Sequence, residues 1–564
     1  MKHIYEELDF NDEDWKQFHR LGDEHQFAAN TTIFKARDRD DSLYLLKTGT
    51  IRVETQERTM LYHAPSFFGE MALFNRSFRT ASVIAVNPVT VIRIPSSILL
   101  QGLASYNTFI VKFMHAIGNV MLKRLESSIA QVSKDMQGEK KDLSPLLILK
   151  KNILQRWALT YHSLGEPGKI NIMSSKPVGS KQDLSVAYSP GVAAPCLIIN
   201  KNKMAAYDVT TKGNLVGIIT NATAVLGLGT LSAVASKPVM EGKAILFKNF
   251  ANINAFDLEI NENNPKELIK IVKSLEPTFG GINLEDIKAP ECFYIEDELK
   301  KIMDIPVFHD DQHGTAIIVG AGLKNALKLQ KKEIDNIKVV ICGAGAAGVA
   351  CAKFLILLGL NKNNLMMVDI NGVISKDRVL DDSLKQFAIK TPMKTLSEAV
   401  ENADVFIGLS APKLLTPNML LSMNKNPIVF ALANPVPEID YQLAKSTRKD
   451  IIIATGRSDY PNQINNVMAF PFIFRGALDV RACKINEEMK LAASDAIVKL
   501  ATKIGVTEGS IIPSPFHEKL LSYVSLAVAK AAIETNVARI EIDMKKYHAN
   551  LLNLEKRLQK LNEL

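Results

Sequence analysis

The 564-residue chain is too long for one hydrophobic core, and 47% apolar with 23% charged residues excludes bulk disorder. A net charge of +8 without a dense Lys/Arg block suits small anionic ligands as well as nucleic acid, and no feature singles out nucleic acid as a partner. Five cysteines (Cys196, Cys292, Cys342, Cys351, Cys483) form no C-x-x-C pair, and the acidic start MKHIYEELDFNDEDW has no apolar signal core, so a reducing cytoplasm is the expected setting.

Residues 30–95 are rich in β-branched residues broken by turns. SLYLLKTGTIRVET predicts two short strands around Lys47-Thr48-Gly49, and TASVIAVNPVTVIRIP predicts two more around Asn87-Pro88. Strands at this spacing suggest a small β-barrel or jelly roll. From Leu99 to Val132 the period becomes helical, with Phe113, Ile117, Met121, Leu125 and Ile129 four residues apart. The polar stretch Ser133 to Pro145 reads as a linker. From about Ile153 strands and helices alternate, the pattern of an α/β fold with a parallel sheet. Val339 to Leu360 is nearly uncharged, but three glycines and Lys353 make it a strand, turn and buried helix rather than a membrane span. Leu551, Leu554, Leu558 and Leu561 predict a final amphipathic helix, either a dimer seam or core packing.

The segment FFGEMALFNRSFRTASVIA, Phe67 to Ala85, has the makings of an anion cradle. Gly69 permits a tight turn and Glu70 is an outward acceptor, while Arg79 is a planar fork suited to a phosphate. Phe68-Gly69-Glu70, Ala72-Leu73 and Arg79-Thr80-Ala81-Ser82 closely resemble the phosphate-binding cassette of cyclic-nucleotide-binding domains, over about residues 10–130. The resemblance implies an eight-stranded β jelly roll followed by a helix. It also implies Gly69, Glu70, Arg79 and Thr80 at a cyclic nucleotide, with Glu70 on the ribose 2′-OH and Arg79 on the phosphate. The ligand is cAMP as first choice, with cGMP open.

VVICGAGAAGVACAKFL places Gly343, Gly345, Ala346, Ala347 and Gly348 between a β-branched run and a helix, which is G-x-G-x-x-G in its strand-turn-helix context. Asp369 follows 21 residues beyond Gly348, where a ribose-binding carboxylate belongs. Glu285-Asp286 and Asp310-Asp311 lie in apolar, glycine-rich surroundings where unpaired carboxylates are costly. Acids converging without thiolate or repeated imidazole ligands favour Mg²⁺ or Mn²⁺. His309 and His313 read as hydrogen-bonding neighbours of that site. Lys243, in PVMEGKAILF, is read as a lysine on an apolar strand whose lowered pKa suits a base, against the alternative of a lysine snorkelling to water.

These elements together resemble malic enzyme of the shorter bacterial form, from about Tyr161 to Leu551, through DLSVAYSPGVAAPC, KPVMEGKAILFK, FGGINLEDIKAPECF, IPVFHDDQHGTA, ALANP and ATGRSDYPNQINNV. The expected architecture is therefore multidomain, a jelly roll joined to a two-domain α/β enzyme with a Rossmann-type domain. The boundaries are 1–135 cyclic-nucleotide module with its helix, 136–152 linker, 153–315 substrate and metal domain, 316–538 NAD(P)-binding domain and 539–564 helical tail. The resemblance implies oxidative decarboxylation of malate to pyruvate and CO₂ with NAD or NADP, in a homo-oligomer, under cyclic-nucleotide control. Lys243 would be the base, assisted by Asp310; Tyr188 the acid; Glu285, Asp286 and Asp311 the metal ligands; and Asn434 and Asn466 would hold substrate carboxylate and nicotinamide. Asp369 favours NAD, whereas Lys376 or Arg378 would accommodate the 2′-phosphate of NADP.

Three stretches depart from that family's pattern: Asn221-Ala222-Thr223 stands for Asp-Gly-Thr, Thr230-Leu231-Ser232 for Asp-Ile-Gly, and Val436 for Asp. They keep open a weakened enzyme, a non-catalytic ligand sensor or an oxidoreductase for a related 2-hydroxy acid. An amino-acid dehydrogenase would not need the carboxylate set.

Overall fold

In the computed structural model the β-branched front segment forms eight strands: β1 (Asp23–Phe27), β2 (Thr32–Phe34), β3 (Leu43–Thr48), β4 (Thr50–Glu54), β5 (Thr59–His63), β6 (Ser66–Phe68), β7 (Ser82–Ala85) and β8 (Val89–Ile94). The structure describes residues 12–55, 59–70, 78–104 and 167–562, except 19 and 226, with scattered positions between 109 and 163. The chain divides into two compact units, residues 1–169 and 170–564.

In the first unit the strands form two antiparallel sheets, ordered β1-β8-β3-β6 and β2-β7-β4-β5. The two predicted strand pairs are present and turn at Gly49 and at Asn87-Pro88. Strand alternation explains why β3 is buried on both faces. Tyr44 and Leu46 meet Phe34, Ile51, Phe68 and Val83 between the sheets. Leu43 and Leu45 face Phe18, Phe113, Ile117 and Met121 on the other side. The predicted four-residue apolar stripe is thus a packing face as far as Met121; Leu125, Ile129 and the Ser133–Pro145 linker lie outside the described residues.

The second unit begins with short helices, including α1 (Lys181–Ala187) and α2 (Ala193–Lys201), neither of which buries a residue. Strand alternation starts only at Leu215, well after Ile153. β9 (Leu215–Thr220), β10 (Asn254–Glu259), β11 (Gly281–Leu284) and β12 (Val307–His309) form a parallel sheet in the order β10-β9-β11-β12. Helix α3 (Ala233–Ala251) crosses between β9 and β10, and α4 (Glu291–Ile302) between β11 and β12. The 21-residue α5 (Asp310–Gln330) then leaves β12 directly and leads to the second sheet.

That sheet contains β13 (Val339–Cys342), β14 (Leu365–Asp369), β15 (Gly372–Val373), β16 (Val405–Gly408), β17 (Ile428–Ala431) and β18 (Ile452–Thr455), ordered β15-β14-β13-β16-β17-β18. All neighbours are parallel except β15, a two-residue antiparallel edge. β13, β16, β17 and β18 are wholly buried, as expected of parallel strands covered on both faces. Helix α6 (Ala346–Leu357) follows β13. One core joins both sheets, with Val216 and Ile218 alongside Ile341, Phe430 and Ile452. The last helix, α9 (Met544–Asn562), follows α7 (Glu487–Ile504) and α8 (Leu520–Glu534). Its Leu551 and Leu558 are buried in this same core, so its stripe packs within its own unit.

Candidate functional site

The predicted base stands on α3, not on a strand. Met240, Ala244, Phe247 and Ala251 are buried at helical spacing beside Lys243; the apolar Ala-Ile-Leu-Phe run that suggested a strand is the buried face of this helix. Lys243 is 7% exposed. Its Nζ donates to Asp310 Oδ2, lies 2.9 Å from Glu285 Oε1, and sits 4.1 Å from the centre of the Phe470 ring. The expected lowering of its pKa is not found. Burial pulls it down, but Asp310 and Glu285 outweigh burial and hold the ammonium well above the usual lysine range.

Strand register explains why the two acid pairs meet. β11 and β12 run parallel with Leu284 opposite His309. The next residues of each strand, Glu285-Asp286 and Asp310-Asp311, therefore emerge at the same sheet end. Asp286 takes a left-handed φ of 53° and donates its N–H to Asp311 Oδ2 at 2.9 Å. Glu285, Asp286 and Asp311 each offer an oxygen within 4.8 Å of the others. An all-oxygen, trianionic donor set of this size fits Mg²⁺ or Mn²⁺. Burial raises the pKa of Glu285, and raises that of Asp311 to about 6. A cation among them would remove the cost of confining these charges together.

Asp310 is fully buried, and burial pushes it to about 7 against the pull of Lys243. Its Oδ2 also accepts from Asn466 Nδ2 at 2.5 Å, while Oδ1 is buried without a hydrogen-bond partner. Asn466 is thus brought to the lysine node. Of the two histidines, His313 fits its expected part, at 2.9 Å from the Glu296 carboxylate. His309 does not: its ring nitrogens make no hydrogen bond and Nδ1 is 3.9 Å from Asp311. Neither belongs to the carboxylate triad.

Tyr188 ends helix α1 and is 71% exposed, on a surface with exposed Leu184, Val186, Leu197 and Ile198. Asn434 is exposed in the turn after β17, with its amide near Gly456. The Asn221-Ala222-Thr223 departure keeps its turn. Ala222 is buried and takes φ 58°, a conformation a glycine adopts freely and alanine holds at about 1 kcal/mol or more. Thr223 donates to Asn221 and accepts from the Lys288 N–H, and Ala224 donates its N–H to the Asp286 carbonyl, bracing the acid loop. Val436 is exposed.

The glycine turn lies at β13, between β14 and β16, where the sheet order reverses and dinucleotides bind. A Cβ on Gly348 would fall 1.9 Å from the Gly343 carbonyl, so helix and turn approach too closely for a side chain. The space at Gly345 is open, and Ala346 and Ala347 form the first turn of α6, whose N-cap has no side-chain partner. That leaves main-chain N–H groups for an anion. Asp369 ends β14, but both its oxygens are engaged: Oδ1 by the Asn371 N–H at 2.8 Å and Oδ2 by Arg378 at 2.6 Å. Arg378 is pinned in turn to the carbonyls of Gly372 and Val373, whereas Lys376 is exposed.

In the front unit Gly69 has φ 79°, and a Cβ there would meet Arg79 Nη1 at 2.6 Å. Glu70 is half-buried and Thr80 exposed; Ala72-Leu73 lie outside the described residues. Arg79 is only 4% exposed. Its Nη2 donates to Asp40 at 2.5 Å and to the Ser42 carbonyl at 2.6 Å, Nη1 donates to the Gly69 carbonyl, and the guanidinium stacks 4.1 Å over Phe34. Burial raises the Asp40 pKa, but bonds from Tyr44, Arg79 and Ser42 hold it well below the usual carboxylate range. Asp40 therefore occupies part of the fork expected to face a phosphate. Sequence reasoning did not single out Asp40, Phe470 or Glu296; their role comes from contacts across long sequence separations, which no local pattern announces.

Known families match both units. The malic enzyme NAD binding domain matches residues 312–537, the malic enzyme N-terminal domain residues 167–269 and 262–300, and the cyclic nucleotide-binding domain residues 24–106. The "Probable NADP-dependent malic enzyme" of Rickettsia prowazekii is 54% identical over 411 residues, 70% of this chain and 54% of that protein. The "NAD-dependent malic enzyme" of Rhizobium meliloti is 49% identical over 401 residues, 68% of this chain and 52% of that protein. The chain thus spans about half the length of these curated relatives. A malic enzyme crystal structure from Pyrococcus horikoshii superposes with a TM-score of 0.67 at 40% identity, covering 72% of this chain and 100% of that one.

Proposed function

Because the chain belongs to the malic enzyme family, we propose that it converts malate to pyruvate and CO₂ while reducing NAD or NADP. The observation that carries this reading is the position of Lys243, paired with Asp310 and adjoining the Glu285-Asp286-Asp311 oxygens. Lys243 acts in its neutral form, taking the proton of the C2 hydroxyl as hydride leaves C2 for the nicotinamide. Asp310 and the Phe470 ring hold the lysine head in place, and Asn466 steadies Asp310. Glu285, Asp286 and Asp311 would hold a divalent cation, which when bound would supply Lewis-acid polarisation of the C2 oxygen and would offset the carboxylate charge that keeps Lys243 protonated. Tyr188 delivers the proton to C3 after CO₂ departs. Its exposed, apolar-flanked position supports a homo-oligomer in which this surface is covered. Main-chain N–H groups at Gly345–Gly348 bind the dinucleotide pyrophosphate, and Asn434 with Asn466 would hold substrate carboxylate and nicotinamide.

The front unit is proposed as a cyclic-nucleotide site that regulates the enzyme in a cytoplasmic setting, with cAMP as first ligand. Among the described residues no helix is long and apolar enough to cross a membrane. The Asn221-Ala222-Thr223 departure does not by itself favour a weakened enzyme, because Ala222 takes the left-handed turn that a glycine would adopt. The deciding experiment follows reduced nicotinamide and ¹⁴CO₂ from malate labelled at the C4 carboxyl, with Mn²⁺. Equal amounts of both are expected, and no turnover with either nicotinamide would overturn the proposal.

A further inference from the structure

Glu296, on α4, is 2% exposed and takes no part in the chemistry above. Its carboxylate gathers four donors. The His309 main-chain N–H reaches Oε1 at 3.0 Å and the Lys300 ammonium reaches it at 2.8 Å. The Gln312 amide reaches Oε2 at 3.1 Å, and His313 Nε2 lies 2.9 Å from both oxygens. Three of these donors bracket Asp310-Asp311, one residue before the pair and one and two residues after it. The bracketed segment is where β12 becomes α5 without a loop, and the N-cap residue His309 provides no side-chain cap. A carboxylate beside the start of this helix supplies the missing acceptor and complements its dipole.

The contacts continue to α7. Lys490 Nζ is 3.2 Å from His313 Nδ1 and 2.6 Å from Glu487. An ammonium only donates, so Nδ1 is the acceptor and the His313 proton sits on Nε2, directed at Glu296. Lys300 Nζ stands 3.4 Å from Nε2, farther than the 2.8 Å that separates it from Glu296 Oε1.

We propose that Glu296 is a positioning residue: by gripping both flanks of Asp310-Asp311 it sets Asp310 against Lys243 and Asp311 toward Glu285 and Asp286, touching neither substrate nor ion. The inference rests on the metal-site reading above. Its test is Mn²⁺ titration followed by electron paramagnetic resonance, without substrates, on the full chain. Glu296→Gln keeps the shape but loses the charge and half of the acceptor capacity. It is expected to weaken Mn²⁺ binding about 10–100-fold, the usual effect of losing an outer-sphere partner. Dinucleotide affinity stays within about twofold, since the glycine turn is on the other sheet. Glu298→Gln, on the exposed side of the same helix, binds Mn²⁺ as the unsubstituted protein does. Gln312→Met removes one flank contact only, and a weakening in the same direction is expected; it carries the test if Glu296→Gln does not fold. Mn²⁺ affinity unchanged within twofold in the folded variant overturns this inference and leaves the proposed function standing. Absence of Mn²⁺ binding by the unsubstituted protein overturns the metal-site reading, and this inference with it.

Discussion

Lys243 and Asp310, 67 residues apart, form a buried ion pair in which the lysine is 7% exposed and the aspartate not exposed at all. The pair joins the middle of α3 to the first residue of α5, so the lysine and the carboxylate that holds it come from different helices. An isolated charge could not be buried at either position.

The first prediction follows from that pair. Lys243→Ala removes the proposed base and leaves buried Asp310 without its countercharge, held by the Asn466 amide. Loss of a general base typically costs about 10²–10⁴-fold in turnover. Dinucleotide binding, measured by fluorescence titration, stays near that of the unsubstituted protein. Turnover above half would remove Lys243 from the chemistry.

A second prediction concerns the metal. Asp311→Asn replaces an anionic oxygen by a neutral amide, though the amide oxygen can still accept the Asp286 N–H. The Mn²⁺ concentration for half-maximal activity should rise about tenfold or more, as expected when a close charge is lost from a hard-cation site. The unfolding midpoint without metal should not fall, because removing one of three crowded acids relieves repulsion. Activity of the unsubstituted protein in excess chelator contradicts the site.

A further prediction concerns nicotinamide choice, proposed to depend on Asp369. A free carboxylate there would repel a 2′-phosphate, but Arg378 neutralises it and the Asn371 N–H takes its other oxygen. The proposed site is therefore expected to accept NADP as well as NAD. Arg378→Ala should lower kcat/KM for NADP at least tenfold, about 1.4 kcal/mol, with a smaller effect on NAD. An unchanged ratio would place the discrimination elsewhere.

The legible features were those that local pattern controls. The turns at Gly49 and Asn87-Pro88, each carrying the chain from one sheet to the other, the strand-turn-helix at Gly343–Gly348 and the adjacent acids can each be read from neighbouring residues. Lys243 was assigned to a strand because Ala-Ile-Leu-Phe is ambiguous over four residues; only the spacing from Met240 to Ala251 shows the helix. Its pKa direction was missed for another reason. Dryness alone lowers a lysine, and the sequence does not show that Asp310 and Glu285 converge on Nζ. Asp40 escaped notice because its meaning depends on Arg79, 39 residues on.

A third kind of test uses pH. Burial pushes His313 down to about 4, from an ordinary value near 6.5. The folded protein therefore binds fewer protons than the unfolded chain between these values. Stability from this group is complete above about pH 6.5 and declines as pH falls toward 4, by about 1.4 kcal/mol per unit. His313→Gln should flatten that limb when thermal midpoints are compared from pH 7 to 4.5. An identical acid slope in both proteins would exclude His313 as its source.

The last prediction concerns the front unit, where the arginine expected to hold a phosphate is already partnered. Nη2 of Arg79 serves both Asp40 and the Ser42 carbonyl, so no bidentate edge of the guanidinium is wholly free. A cyclic phosphate binding there must displace Asp40 or share the fork with it. Asp40→Asn removes the competing charge while keeping an acceptor for Tyr44. Since a hydrogen bond to a charged group contributes about 1.5 kcal/mol or more, cAMP should bind the variant about tenfold tighter. Arg79→Ala should lose binding altogether, at the added cost of exposing Phe34 and Tyr44 that the guanidinium covers. Calorimetric titration of cAMP and cGMP into the three proteins measures both effects. Malate saturation curves on the same samples measure coupling, for which about 1–3 kcal/mol is typical. Tighter binding in Asp40→Asn with altered malate saturation makes Asp40 the brake on a regulatory site. Binding that leaves turnover and malate affinity unchanged makes the unit a tether. No binding of either nucleotide to any of the three makes the Arg79–Asp40 pair a purely structural element of the jelly roll.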